Sequence, residues 1–532
     1  MAQHLKVLLL AHLWVLLLNC SSAPSDLTPN GSNNLDFTSI GSNVTTLNLA
    51  GSSATLKIEN PTVDDDVVLI LYGTQNSDVT SHLSLSLGAP QNELGQGFQS
   101  ISHAIDNDEN IAVDDLHLRL RSYEENLKSR HQTLGSGFQA TRHGELTVGD
   151  TDSFMVMNSV ENFDDYETVD ATLLYQTAEF NFFVDNRSLD SMSETNIVEL
   201  CENFSAVIDD MHNNFGQESD VNVDGRFDIL ATPVVNQLSE SDDSMTTGFF
   251  FAKDLYDVEG SNQREIFYTA VPDPVGEYAF ELSEEFAFSN ILPSTLPHEF
   301  QHMINHNERV FMRNAAIEES WLNEALSHLA EDIYSLNHDG YMENSGIENA
   351  ARVDLYLDDA DGVCFVCDTS LAARGGAYLF LRSLYESAEQ LEYSELNSGR
   401  DLIQSLVRSS HHGTDNVVRA VYGEDATDDD FQDLVGEFSL KVFFSTQDTI
   451  PSDLIVITGL DLYGYQHDNR HTNLNGVSYL SDTTTTWTSD VEGNSVVYIQ
   501  ISGEDLIANG GEISLQYADR SLAGFLIHTN AN

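Results

Sequence analysis

Apolar and polar positions alternate in short runs at both ends of this chain, while its middle carries longer apolar stripes at helical spacing. Between residues 45 and 73 the segments TTLNLA, ATLKIE and DVVLILYG are separated by Gly, Asn and Asp, which predicts strands bounded by turns. The same texture returns towards the C-terminus in DLIVITGL, SVVYIQIS and GEISLQYA. Residues 24–92 and 450–532 are therefore expected as two small β-rich domains flanking the rest. Residues 93–149 are polar apart from one charged helical stretch, DDLHLRLRSYEENLKSRH, and have the character of a linker or propeptide. Residues 150–446 open on strand-like runs such as ATLLYQTAEFNFFVD and end in helical patterns, which predicts an α+β unit. No internal repeat is evident.

Two central stripes carry candidate chemistry. In HEFQHMI, residues 298–304, His298 and His302 are four apart and so share one face of a helix, where two imidazoles can meet one ion. Glu299 lies about 100° round that helix from His298, beside the metal position without being a ligand to it. A second helical pattern, residues 315–333, places Ile317, Trp321, Leu322, Ala325, Leu326, Leu329 and Ile333 on one face. Glu324 interrupts its apolar edge, where a carboxylate is costly unless paired or bound to metal, and is the candidate third ligand. Two histidines and a carboxylate leave a fourth tetrahedral position open, the arrangement of a catalytic zinc site. Two rivals to Glu324 exist. His306 continues the four-residue series but lies about 12 Å along a straight helix from His298. Glu308 stands where HExxHxxGxxH sequences place their last histidine, with Asn305 in place of the turn glycine.

HEFQHMI followed by WLNEALSHLAE resembles the gluzincin clan of zinc metallopeptidases, and most closely its hyicolysin-type family. DVNVDGRFDIL, REIFY and RGGAYLFLRSLYE add to the resemblance, which covers roughly residues 150–445. It implies a gluzincin-like fold with a β-rich first part and a helical second part that carries the zinc helix. It further implies His298, His302 and Glu324 as zinc ligands, Glu299 as general base, and protein or peptide substrates. Glu331, seven residues after Glu324, resembles a carboxylate that orients a ligand in the gluzincin aminopeptidases. His328 departs from the pattern, standing where thermolysin-like enzymes have an aspartate bonded to the first histidine. Gluzincins align extended substrates on an edge strand, and REIFYTAV, residues 264–271, is expected in that role. Tyr378 and His411 are candidates for stabilising the transition state. An exopeptidase of the aminopeptidase type, or a surface adhesin retaining a relic zinc site, are the alternative functions.

Lesser motifs compete with plain structural readings. DVNVDG, residues 220–225, has the acidic spacing of a calcium loop with Asp228 at the ninth position, which makes calcium a second candidate ion. Ala231 replaces the twelfth-position glutamate, so a turn with solvated carboxylates fits equally well. GYMEN, residues 340–344, resembles the amine-binding motif of the gluzincin aminopeptidases but lies on the wrong side of the zinc helix, and is read as coincidence. CFVC, residues 364–367, reads as a small disulfide loop, leaving Cys201 as a buried thiol.

Charge narrows the partners. Eighty-six acidic residues against 22 basic ones give a formal net charge of −64. Such a field argues against nucleic acid and anionic membrane surfaces, and fits a saline environment. At the N-terminus Lys6 precedes VLLLAHLWVLLL, an apolar run too short to span a membrane, so residues 1–23 are expected as a secretory signal. Its end reads two ways: LLNC puts Cys20 where a lipoprotein signal ends, and SSA ending at Ala23 suits ordinary signal peptidase. The chain is accordingly expected outside the cell, secreted or anchored to the envelope, touching membrane only through such a lipid.

Overall fold

The computed structural model describes residues 33–35, 44–47, 49, 52–75, 81–88, 115–134, 146–239, 245–337, 347–390, 396–445, 457, 466–467, 470–471, 477–480, 486–517 and 522–529. Strands β1 (Asn33–Leu35), β2 (Val44–Leu47), β3 (Ser53–Ile58), β4 (Val67–Gly73) and β5 (Ser81–Leu87) precede helix α1 (Asp115–Leu134). Strands β6 (Thr151–Met157), β7 (Tyr166–Gln176), β8 (Phe180–Asp185), β9 (Phe227–Ala231), β10 (Gly248–Phe250) and β11 (Ile266–Thr269) follow, with helix α2 (Glu194–Phe215) between β8 and β9. The longer helices after them are α3 (Leu292–His306), α4 (Ser320–Asn337), α5 (Ile347–Asp358), α6 (Leu371–Gln390), α7 (Gly399–Val407), α8 (Gly413–Tyr422) and α9 (Asp428–Ser445). The chain returns to strands in β12 (Gln466–His467), β13 (Arg470–His471), β14 (Val477–Leu480), β15 (Thr486–Val491), β16 (Val496–Ile501), β17 (Glu512–Tyr517) and β18 (Leu522–His528). Helices and strands are both abundant and largely segregated, an α+β molecule.

The central sheet has the order β10-β11-β9-β8-β7-β6, parallel across β11–β9 and β9–β8 and antiparallel elsewhere. Its inner strands are buried on both faces, so FNFFVD of β8 and FDILA of β9 read as continuous apolar runs rather than alternating ones. Helix α2 covers one face. Ser193 caps its start by accepting from the Asn196 backbone, and Ile197, Leu200, Cys201, Phe204, Val207, Ile208 and Met211 form its buried stripe. Helix α3 packs between the sheet, α2 and α4, and all its residues are buried. Phe300 anchors it, stacking on Phe227 of β9 at 4.4 Å between ring centroids and meeting Phe204 of α2 at 5.9 Å.

The two terminal β-regions, expected as separate domains, contribute strands to the same two sheets. One has the order β1-β3-β17-β5-β15 and the other β14-β16-β4-β18-β2, so β4 and β5 each lie between two strands from residues 486–528. DVVLILYG shows why alternation fails there. Val67, Leu69 and Leu71 of β4 face the inside of the sandwich, whereas Val68, Ile70 and Tyr72 join the core that includes the helices of residues 292–445. Tyr72 meets Gly436 of α9 closely enough that an added Cβ would lie 2.6 Å from its hydroxyl. The sandwich thus leans on the helical layer, and Tyr498 of β16 seals the contact with a 3.1 Å hydrogen bond to the Ser439 carbonyl.

Candidate metal centre

Phe300 faces the sheet, so His298 and His302, two residues to either side of it, face the opposite way, towards α4. Helix α4 answers with Asn323, Glu324, Ser327 and Glu331, all buried against α3. The Nε2 atoms of His298 and His302 stand 3.1 Å apart. Glu324 Oε2 lies 3.3 Å from His298 Nε2, and its Oε1 lies 3.4 Å from His302 Nε2. A tetrahedral zinc with bonds of about 2.0–2.1 Å separates its ligands by about 3.3–3.4 Å, so these donors have the spacing that such an ion sets. His117 completes the cluster: one donor atom each from His117, His298, His302 and Glu324 lie within 4.8 Å of one another. Glu324 Oε1 and His117 Nδ1 are buried without a hydrogen bond, as atoms reserved for a cation would be.

Each histidine is fixed by the nitrogen it turns away from the cluster. His298 Nδ1 is 2.6 Å from Glu331 Oε1, and His328 Nδ1 meets the same oxygen at 2.9 Å. His302 Nδ1 lies 3.2 Å from Asn323 Oδ1, an oxygen that also accepts from Asn305 Nδ2 at 3.1 Å. Both rings therefore turn Nε2 inward, the atom that a metal would take once its proton is displaced. Arg374 of α6 donates to Glu324 Oε2 at 2.6 Å. It arrives there because the two glycines after it let α6 approach α5: a Cβ on Gly375 would lie 2.0 Å from the Arg352 carbonyl oxygen.

Burial opposes charge on His298, yet hydrogen bonds with Glu324 and Glu331 carry its pKa up to about 10. Burial drops His302 to about 3. Glu324 and Glu331 stay ionised despite their burial: Arg374 and His117 hold the first well below the usual carboxylate range, His328 and His298 the second. Glu299, buried beside them, is pushed up to about 7 by desolvation, against the pull of His298, and its Oε2 has no hydrogen-bond partner. Glu324 and Glu331, both ionised, thus share one buried pocket with Arg374 and the imidazoles.

The rivals lie elsewhere. His306 Nε2 is engaged by the Tyr256 hydroxyl at 3.0 Å. Glu308, in the π-helical turn Asn307–Phe311, pairs with Arg313 at 2.6 Å and accepts from the Gln217 backbone. Tyr378 is buried beside Asp332 and Arg382, and His411 pairs with Asp415 at 2.7 Å, so neither joins the cluster. The strand expected to receive substrate is not an edge: β11 lies between β10 and β9, and Gly248–Phe250 of β10 forms the edge instead. The missing clue was pairing order, which REIFYTAV, apolar enough to be internal, does not carry.

In the acidic loop Asp220 Oδ1 accepts from the Asp224 and Gly225 backbones, and Asp228 is buried against Arg264 at 3.0 Å and Asn181 at 2.8 Å. Among the described residues, the groups that could hold an ion are the cluster above and its neighbour His298, His328 and Glu331. Cys364 and Cys367 are joined as a disulfide and Cys201 is a buried free thiol. Residues 1–23 and GYMEN fall outside the described residues. No helix among the described residues is long and apolar enough to cross a membrane. Sequence reasoning missed His117, Asn323 and Arg374. His117, Arg121, Glu124 and Lys128 share one face of α1, but a charged stripe ordinarily marks a solvated surface.

A stretch of 190 residues is 32% identical to the neutral metalloprotease ShpI of Staphylococcus hyicus. This chain therefore has a metalloprotease relative. The match takes in 35% of this chain and 41% of that protein, so the chain spans less than half the length of its relative. No family model matches the chain.

Proposed function

We propose that the protein is a zinc-dependent endopeptidase, exported or held at the cell envelope, with His298, His302 and Glu324 as metal ligands and Glu299 as general base. The observation that carries this is the coincidence, on two adjacent helices, of three donors at tetrahedral spacing with a buried carboxylate that is not itself a ligand. The metalloprotease relative supports the same reading.

Zinc, when bound, supplies a Lewis acid and an acidified water. The chain's own residues do the rest. Glu299 accepts the water proton at its free Oε2 and returns it to the departing amine, a task suited to a carboxyl whose pKa burial has raised towards neutrality. Glu331 holds His298, Asn323 holds His302, and Arg374 holds Glu324, so the ligand set is fixed before substrate arrives. The outer edge of β10, which no strand covers among the described residues, lies beside Glu299: a Cβ on Gly248 would sit 3.3 Å from Glu299 Cγ. That edge can hydrogen-bond an extended peptide alongside the centre.

The test uses internally quenched peptides beside aminoacyl dyes, with and without a strong chelator. Cleavage of the internal peptides, abolished by chelation and restored by zinc, is expected. Cleavage of the aminoacyl dyes alone would make the protein an aminopeptidase, and hydrolysis unaffected by the chelator would end the zinc reading.

A further inference from the structure

Helix α1 comes from the segment that reads as a linker or propeptide, yet it reaches the centre of the molecule. His117 Nδ1 lies 3.3 Å from Glu324 Oε1, and the His117 ring stands 6.1 Å from that of His298 and 6.0 Å from that of His302. One turn on, Arg121 donates to the Phe250 carbonyl of β10 at 3.3 Å and pairs with Glu124 at 2.7 Å. Glu124, fully buried, accepts from the Ala252 backbone N–H at 2.9 Å. Lys128 extends the same face by donating to the Ala315 carbonyl.

We propose that α1 is an autoinhibitory strap, in which His117 takes the fourth place on the metal while Arg121 and Glu124 occupy the edge of β10. The inference rests on the zinc peptidase reading above and deepens it. Two independent contacts carry it. The first is the ligand spacing. A group that donates to a substrate oxygen stands one hydrogen bond, about 2.7–3.1 Å, beyond the ligand sphere. His117 Nδ1 is as far from Glu324 as the two histidine ligands are, and a donor atom of its ring lies within 4.8 Å of theirs, which suits a ligand better than an outer donor.

The second contact is at the sheet edge. An edge strand beside a peptidase centre offers unpaired N–H and C=O groups to an extended substrate. Here the Arg121 guanidinium takes the Phe250 C=O of β10 and the Glu124 carboxylate takes the N–H of Ala252, two residues past the strand, so α1 lies against that edge with side chains. Zinc with three protein ligands keeps a position open for water, whereas four protein ligands close the site. With α1 in place the fourth position is therefore held by His117, so activity is low until His117 leaves the metal, and longer substrates further require α1 to leave the β10 edge.

The test compares the full chain with His117→Ala and with His117→Asn, each loaded with cobalt in place of zinc. In the natural chain the visible absorption is expected to be that of four protein ligands. In both variants it should change, return on addition of imidazole, and be accompanied by zinc binding weaker by roughly tenfold or more. Hydrolysis of a short quenched peptide should rise at least tenfold in the variants and fall again with imidazole. A spectrum and zinc affinity untouched by either substitution would overturn the proposal. So would a loss of turnover with unchanged metal binding, which would make His117 a substrate-contacting group. If the spectrum responds and imidazole restores it, but no form of the chain cleaves peptide, the fourth-ligand assignment stands and the peptidase reading fails.

Discussion

Glu331 illustrates how little of a metal centre is its ligands. It lies two turns beyond Glu324 on α4 and receives both His298 Nδ1 and His328 Nδ1. Its charge turns the His298 lone pair inward and raises the basicity of that ring. Glu331→Gln keeps an acceptor at this point but removes the charge, and should weaken zinc binding by roughly 10–100-fold, read by competition with a chromogenic chelator. An unchanged affinity would mean that His298 is oriented by helix packing alone. The residues bearing the motif were legible because their relations are local: four residues from His298 to His302 on one helix, and Glu324 at the apolar edge of a stripe. His117 was not, since it sits about 180 residues before His298 in a stretch whose charged face looks solvated.

At the scale of elements, the strands owe their register to contacts that no periodicity announces. Glu265 stands where REIFYTAV enters β11, buried, accepting from Ser219 Oγ at 2.5 Å and from the Val221 backbone at 2.7 Å. Desolvation pushes its pKa up from 4.5 to about 7. Below pH 4.5 the folded and unfolded chains both hold the proton, so the group has no effect on stability. Between about 4.5 and 7 the unfolded chain ionises first, and stability falls as pH rises, by about 3 kcal/mol in all at roughly 1.36 kcal/mol per pH unit. Glu265→Gln removes this term and should flatten the decline in melting temperature between pH 5 and pH 8. An identical decline in the variant would show that the carboxyl is ionised in the folded protein throughout. The central helices were the readable part of the fold, because Leu322, Leu326 and Leu329 mark α4 by themselves. The internal position of β11 was not, because its neighbours are set by chain segments on either side.

For the whole molecule, the decisive feature is that its two ends fold together. Strand β4 has β16 on one side and β18 on the other, and β5 lies between β15 and β17. The alternating runs near each terminus were visible in the sequence, but their partnership spans some 400 residues, and a strand does not encode its mate at that distance. A chain ending at residue 449 leaves β4 with neither neighbour and exposes Val67, Leu69 and Leu71. It should be aggregated or unfolded by gel filtration and circular dichroism, even though residues 150–446 are intact. A soluble, cooperatively melting product would instead make the C-terminal strands a dispensable accessory.

The assembled account places Glu299 at the reacting atoms and everything else around it, so Glu299→Gln tests it most directly. The substitution is made in the natural chain and in the His117→Ala background, and zinc content is measured beside hydrolysis of casein and quenched peptides. The expected result is one zinc per chain in every protein, with hydrolysis reduced about a hundred-fold or more wherever the parent is active. A zinc-loaded Glu299→Gln protein that cleaves as fast as its parent would contradict the account, as would a parent that binds zinc and cleaves nothing in either background.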